Sequence, residues 1–160
     1  MGEIEELDIK IIEILSKKGR RSFRKIAKDL DKSPSTIISH LEKLKNLNII
    51  QSFTIDVDFK HLGYEVISFI ELKLRKGSSK KVYDILKEDP HIFGIYQITG
   101  EYDLFILARF KKGISLNELI KNLNNNPDIS RTNTHLILNV LKNKIDFSNL
   151  FKSERDEDNP

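Results

Sequence analysis

The stretch from Phe69 to Thr99, FIELKLRKGSSKKVYDILKEDPHIFGIYQIT, is echoed from Asp103 to Ile137 by DLFILARFKKGISLNELIKNLNNNPDISRTNTHLI, and no other feature narrows the possible folds as far. Arg75-Lys76-Gly77 returns as Lys111-Lys112-Gly113, an offset of 36. Ser79 returns as Ser115, each in the position of a helix cap, and Pro90 and Ile92 return as Pro127 and Ile129 within one residue. Each half has the pattern strand, helix, strand. The first helix buries Val82, Ile85 and Leu86, the second Leu116, Leu119, Ile120 and Leu123, at helical spacing. Two βαβ halves in about 80 residues predict a ferredoxin-like βαββαβ domain over 64–141. Its antiparallel sheet has the first and third strands central, right-handed crossovers and both helices on one face. The helices cover only that face. Phe69, Phe105 and Leu107 on the other would be exposed in a monomer, so a partner sheet is expected, most simply in a two-fold homodimer.

Upstream the hydrophobic period is 3.6. Leu7, Ile11, Ile14 and Leu15 mark a first helix, with Ile12 widening the stripe, and Gly19 closes it after Lys17 and Lys18. Ser22 caps a second helix, whose apolar face is Phe23, Ile26, Ala27 and Leu30. After the short link Asp31-Lys32, Ser33 as cap and Pro34 as first helical residue open a third helix that buries Ile37, Leu41 and Leu44, with Ile38 beside them. So tight a link makes residues 1–48 a helix-turn-helix with the third helix as recognition helix. Ala27 suits the close crossing, and Asp31 stands where the turn asks for a positive φ.

The charge supports that assignment. The net charge is only +3, yet Ser16–Lys45 holds ten basic and three acidic side chains. Ser35, Thr36, Ser39 and His40 form the expected base-reading face of the third helix, beside Lys43. Arg20, Arg21, Arg24, Lys25, Lys28, Lys32 and Lys43 are the expected phosphate contacts on double-stranded DNA. Ile49–Val57 alternates like a strand, and 49–63 is expected to be a strand-and-loop linker; 142–160 is a C-terminal extension with an acidic tail. The fold class is therefore α+β, a helix-turn-helix domain joined by a strand linker to the sheet domain.

Several function classes drop out. The chain has no cysteine, so thiol catalysis, disulfides and zinc-thiolate sites are excluded. No run of 18 apolar residues offers a membrane span, and the acidic start is wrong for a signal peptide, so a cytoplasmic protein is expected. His40, His61, His91 and His135 are scattered, and neither a glycine-rich phosphate loop nor a paired-carboxylate motif is present, so the chain is expected not to be an enzyme and to need no metal or cofactor. An RNA-binding sheet would need stacking aromatics in a glycine-punctuated pattern that Leu104–Phe110 lacks. A sensor acting through protein contacts and an architectural DNA-binding protein remain as alternatives.

The pieces LDIKIIEILSKKGRRS, IAKDLDKSPSTIISHLEKL, NIIQSFTIDVDFKHLG and ITGEYDLF, in that order from about Leu7 to Leu141, resemble the leucine-responsive/asparagine-synthesis regulator (Lrp/AsnC) family. The resemblance implies a DNA-binding transcription regulator that dimerises through its C-terminal sheets and assembles further, commonly to octamers. It also implies an amino-acid effector bound between subunits near the glycine-acidic turn, here Gly100, Glu101, Tyr102 and Asp103. The family often has arginine where His40 stands and glycine where Asp31 stands. On the residues alone two roles for the turn stay open: Asp103 takes a ligand ammonium with Glu101 and Tyr102 lining the cleft, or Asp103 ties the turn and Tyr102 packs.

Overall fold

Serine, proline and a left-handed turn residue punctuate the first helices. The computed structural model describes residues 3–143 and divides them into two units, one built on residues up to Asp56 and one spanning Val57–Lys142. In the first, α1 (Glu6–Lys17), α2 (Phe23–Asp29) and α3 (Pro34–Asn46) enclose Ile11, Leu15, Ile26, Ala27, Ile37, Leu41 and Leu44. Ser22 Oγ accepts from Lys25 N at the start of α2, and Ser33 Oγ accepts from Thr36 N at the start of α3. Ala27 is fully enclosed, as a close α2–α3 crossing requires.

The turn after α2 closes with two backbone bonds, Lys32 N to Ala27 O at 2.9 Å and Asp31 N to Lys28 O at 3.4 Å, and Asp31 has φ +51°. That is the Schellman arrangement with aspartate in the left-handed position. Asn48 repeats it after α3, at φ +56° with Ile49 N bonded to Leu44 O. Glycine reaches this conformation without the Cβ clash, so Asp31→Gly is expected to stabilise the helical unit by about 0.5–1 kcal/mol, and Asp31→Val to destabilise it by at least as much. Thermal unfolding followed by far-UV circular dichroism checks both signs.

The second unit is a four-stranded antiparallel sheet in the order β2-β3-β1-β4, from β1 (Val66–Leu74), β2 (Ile92–Gln97), β3 (Leu104–Phe110) and β4 (Ile129–Leu136). α4 (Ser79–Leu86) and α5 (Gly113–Asn125) are the two crossovers. The strand period of two sorts the side chains. Ile70, Leu72 and Leu74 of β1 and Leu104, Ile106, Ala108 and Phe110 of β3 share a core with Val82 and Leu86 of α4 and Leu116, Leu119 and Leu123 of α5. Both helices therefore cover the same face. The opposite face carries an aromatic ladder across all four strands: Tyr96 to Phe105 at 5.7 Å, Phe105 to Phe69 at 5.2 Å, and Phe69 to His135 at 4.2 Å between ring centroids.

Some expectations need correction. Ile49–Val57 forms no strand, because no strand among the described residues pairs with it; Phe53 and Ile55 lie exposed. Ser79 and Ser115 are not caps. α4 is preceded by Ser78, whose hydroxyl instead bonds Asp128 Oδ1 at 2.7 Å, and α5 already begins at Gly113. Ile85 and Phe23 are exposed, so the stripes of α4 and α2 are narrower than their apolar residues suggest. The acidic tail lies outside the described residues.

Candidate nucleic-acid interface and effector turn

α3 begins with a cluster of hydroxyls. Ser33 Oγ lies 2.7 Å from Ser35 Oγ and 2.8 Å from Thr36 Oγ1, so Thr36, half-buried, spends its hydroxyl on the cap. Ser35 and Ser39 are exposed, one helical turn apart, and Ile38 and Glu42 are exposed on the same side. A face of two hydroxyls, one branched apolar side chain and one acceptor has the size and chemistry to meet base edges in a major groove.

His40 and Lys43 do not belong to that face, contrary to the expectation from sequence. His40 Nδ1 lies 2.7 Å from Asp8 Oδ1, and Lys43 Nζ donates to Asp8 Oδ2 at 2.8 Å and to Glu5 Oε1 at 2.6 Å. Asp8 is completely buried, and its other bond comes from the Glu5 amide at 2.9 Å. Burial opposes its ionisation, but the Lys43 ammonium, the Glu5 amide and His40 together hold its carboxyl below the usual aspartate value. The same contacts raise the Lys43 ammonium above its ordinary value, first through Asp8 and then through Glu5. Glu5, Asp8 and His40 have ligand atoms close enough to hold a cation, but the Lys43 ammonium already sits on two of those carboxylates. The cluster clamps α3 to α1 and orients the recognition helix.

Among the phosphate candidates, Arg20, Arg24, Lys25, Lys28 and Lys32 are exposed and make no ion pair among the described residues. Arg21 is the exception, since its guanidinium is taken by Asp29. Arg20, Arg21 and Lys25, with Lys18, Gly19 and Ser22, line an open depression of about 580 Å3 before α2. Lys18, Arg20 and Lys25, without an ion pair among the described residues, make it an anion-receptive surface.

The Gly100–Asp103 turn joins β2 to β3. Gly100 has φ +112°, a conformation closed to other residues at acceptable strain, and the space beside its Cα is open. Asp103 Oδ2 accepts from Leu74 N at 2.8 Å, and Oδ1 lies 3.3 Å from Lys73 Nζ. The β1–β3 ladder ends at Leu72–Leu104, and the Asp103 carboxylate takes the next free amide of β1 in place of a backbone carbonyl. The Leu74 amide is the main reason its carboxyl is held below the ordinary value, with burial opposing and Lys73 assisting. Asp103 is thus a strut of the sheet. Tyr102 is buried, its ring 5.6 Å from the Arg131 guanidinium, and the exposed Glu101 pairs with Arg131 at 2.6 Å. Sequence reasoning missed Asp8, Lys73 and Arg131; only Asp8 had a signal, an acid set on the α1 stripe with Ile11 and Leu15.

Residues 67–146 match the model of the Lrp/AsnC ligand binding domain, and residues 4–51 match a winged helix-turn-helix DNA-binding model. The chain is 33% identical over 141 residues to the HTH-type transcriptional regulator FL11 of Pyrococcus furiosus, covering 88% of this chain and 93% of that protein. Its fold superposes on AsnC of E. coli with a TM-score of 0.84 at 29% identity, over 90% of this chain and 98% of the other. A Neisseria meningitidis transcriptional regulator solved with L-methionine shares the fold at a TM-score of 0.83 and 19% identity, over 89% and 94% of the two chains.

Proposed function

Because the chain belongs to the Lrp/AsnC family of helix-turn-helix transcriptional regulators, we propose that it reads a two-fold operator in duplex DNA as a homodimer and takes a small amino-acid effector beside the Gly100–Asp103 turn. It is a transcriptional regulator with a DNA-binding and a ligand-binding domain. The observation that carries the operator reading is the exposed α3 face, Ser35, Ile38, Ser39 and Glu42, presented by a helix whose other sides are held by the core and by Asp8. Arg20, Arg24, Lys25, Lys28 and Lys32 supply the sequence-independent attraction.

The homodimer is supported by the uncovered sheet face, where Phe69, Phe105 and Tyr96 form a continuous aromatic surface. The effector is supported by the open space at Gly100, by the exposed Glu101–Arg131 pair, which offers one acid and one base to a zwitterion, and by the methionine complex of the Neisseria protein. Asp103 is engaged with Leu74 and Lys73, which favours the more exposed Glu101–Arg131 pair, opening to a zwitterion, and the Gly100 backbone as the groups that meet the ligand.

Selection of duplexes from a random pool, with and without a mixture of amino acids, tests this reading. The expected result is a pseudo-palindrome with half-sites about one helical turn apart. Ser35→Ala and Ser39→Ala are each expected to lower discrimination by about 1–3 kcal/mol at the contacted positions, while His40→Ala shifts stability rather than sequence preference. Recovery of no motif would sink the operator reading in favour of an architectural role. An unchanged selection in the presence of every amino acid would sink the effector.

A further inference from the structure

We propose that Arg109 and Glu71 form reciprocal ion pairs between two copies of this chain, and that these pairs set the register in which the open sheet faces pack; the proposal rests on the homodimer reading above. The two side chains stand on the same uncovered face, Arg109 among the odd-numbered residues of β3 and Glu71 among those of β1, opposite in sense to the buried Ile106, Ala108, Ile70 and Leu72. In the ladder Arg109 is opposite Ile67, Phe69 opposite Leu107, and Glu71 opposite Phe105. The cation and the anion therefore lie in rows four residues apart, roughly 13 Å, with the Phe69–Leu107 row midway.

Arg109 lacks a carboxylate partner among the described residues, and Glu71 keeps one oxygen for a further donor. The Arg109 guanidinium carbon lies 4.3 Å from the centroid of the Phe59 ring and 4.8 Å from that of Phe93. Its Nε is buried without a hydrogen bond, and no carboxylate among the described residues pairs with it. Aromatic rings beside the guanidinium strip water from its faces and leave the N–H edge as the part that needs an acceptor. Glu71 is oriented from the other side: Asn133 Nδ2 donates to its Oε2 at 2.8 Å, and His135 Nε2 lies 3.3 Å from the same oxygen. Oε1 makes no bond among the described residues.

Aligned sheets packed face to face lie about 10 Å apart, and a two-fold axis between them runs either along the strands or across them. An axis along the strands keeps each row opposite itself, so the two arginines share one row and the two glutamates another. An axis across the strands through the Phe69–Leu107 row exchanges the outer rows. Each Arg109 then faces the row of the partner subunit's Glu71, displaced sideways by one strand spacing of about 4.8 Å, which both side chains span. Charge complementarity selects the second arrangement, in which the aromatic ladder is also covered.

Arg109→Glu and Glu71→Arg, made singly and together, test this through the dimer dissociation constant measured by sedimentation and light scattering over a dilution series. Each single variant is expected to weaken self-association about tenfold or more. An equimolar mixture of the two single variants restores both pairs in a heterodimer and is expected to return to within about threefold of wild type, as is the double variant. A variant that has merely lost its fold would not be rescued by mixing. Single variants that dimerise like wild type, or a mixture that recovers nothing, overturn the ion pair while leaving the homodimer in place. A monomeric wild-type chain overturns the homodimer and the pair together.

Discussion

Asp8→Asn is expected to destabilise the helical unit by about 3 kcal/mol at pH 7, because it removes the buried anion on which His40 and Lys43 converge and leaves their donors without an equal partner. His40 and Lys43 keep 15% and 26% side-chain exposure, so water recovers part of their solvation and the loss sits at the low end for a broken buried pair. The pH dependence has a definite sign. The folded carboxyl lies below its unfolded value, so its contribution is complete above the ordinary aspartate pKa near 3.8 and is lost as pH falls through the lower folded value. Wild type therefore loses stability on acidification through that window, and the asparagine variant loses less there. Amide hydrogen exchange of Ile11, Leu41 and Leu44 reports this unit separately from the sheet. Equal protection in the two proteins at pH 7 would mean that the cluster does not clamp α3.

The burial of His40 and Asp8 follows helix geometry rather than side-chain polarity. At about 100° per residue, His40 lies roughly 60° from Ile37 around α3, whereas Ile38 lies about 100° away. Angle alone puts the histidine on the flank of the buried stripe and the isoleucine outside it. Side-chain polarity suggests the reverse, and the structure follows the angle. Asp8 obeys the same geometry: it shares a stripe with Ile11 and Leu15 and is buried despite its charge, because Lys43 and His40 come from 35 and 32 residues away to meet it. Such long-range partners leave no local trace. By contrast Ser22, Ser33-Pro34 and Asp31 act through their immediate neighbours, so the helix starts and the α2–α3 turn were readable. The internal repeat dictated which strands are central, since two right-handed crossovers leave β1 and β3 side by side. The alternation of Ile49–Val57 was genuine, but a strand needs a partner's backbone, and none among the described residues pairs with it. For the Gly100–Asp103 turn, residue types left a ligand site and a turn tie both open; the tie needs the Leu74 amide, 29 residues away, which no local pattern announces.

Removing Arg20 and Lys25 together should flatten the salt dependence of duplex binding, and the size of the change counts subunits. Each phosphate contact contributes about 0.9 to the slope of log K against log salt. In a dimer the double variant loses four contacts, so its slope is expected to be about 3.6 units shallower, against about 1.8 for a monomer. Between 50 and 200 mM salt the dimeric variant should then lose about a hundredfold less of its affinity than wild type does, so that the two converge as salt rises. Every duplex should weaken alike, since phosphates carry no sequence. Arg21→Ala is the internal control. Its guanidinium is already paired with Asp29, so its removal should change the slope less than Arg20→Ala does, although the two residues are adjacent. Equal effects would mean that the Asp29 pair opens on DNA, whereas no change in slope from Arg20 and Lys25 would place the phosphate track elsewhere, on Arg24, Lys28 and Lys32.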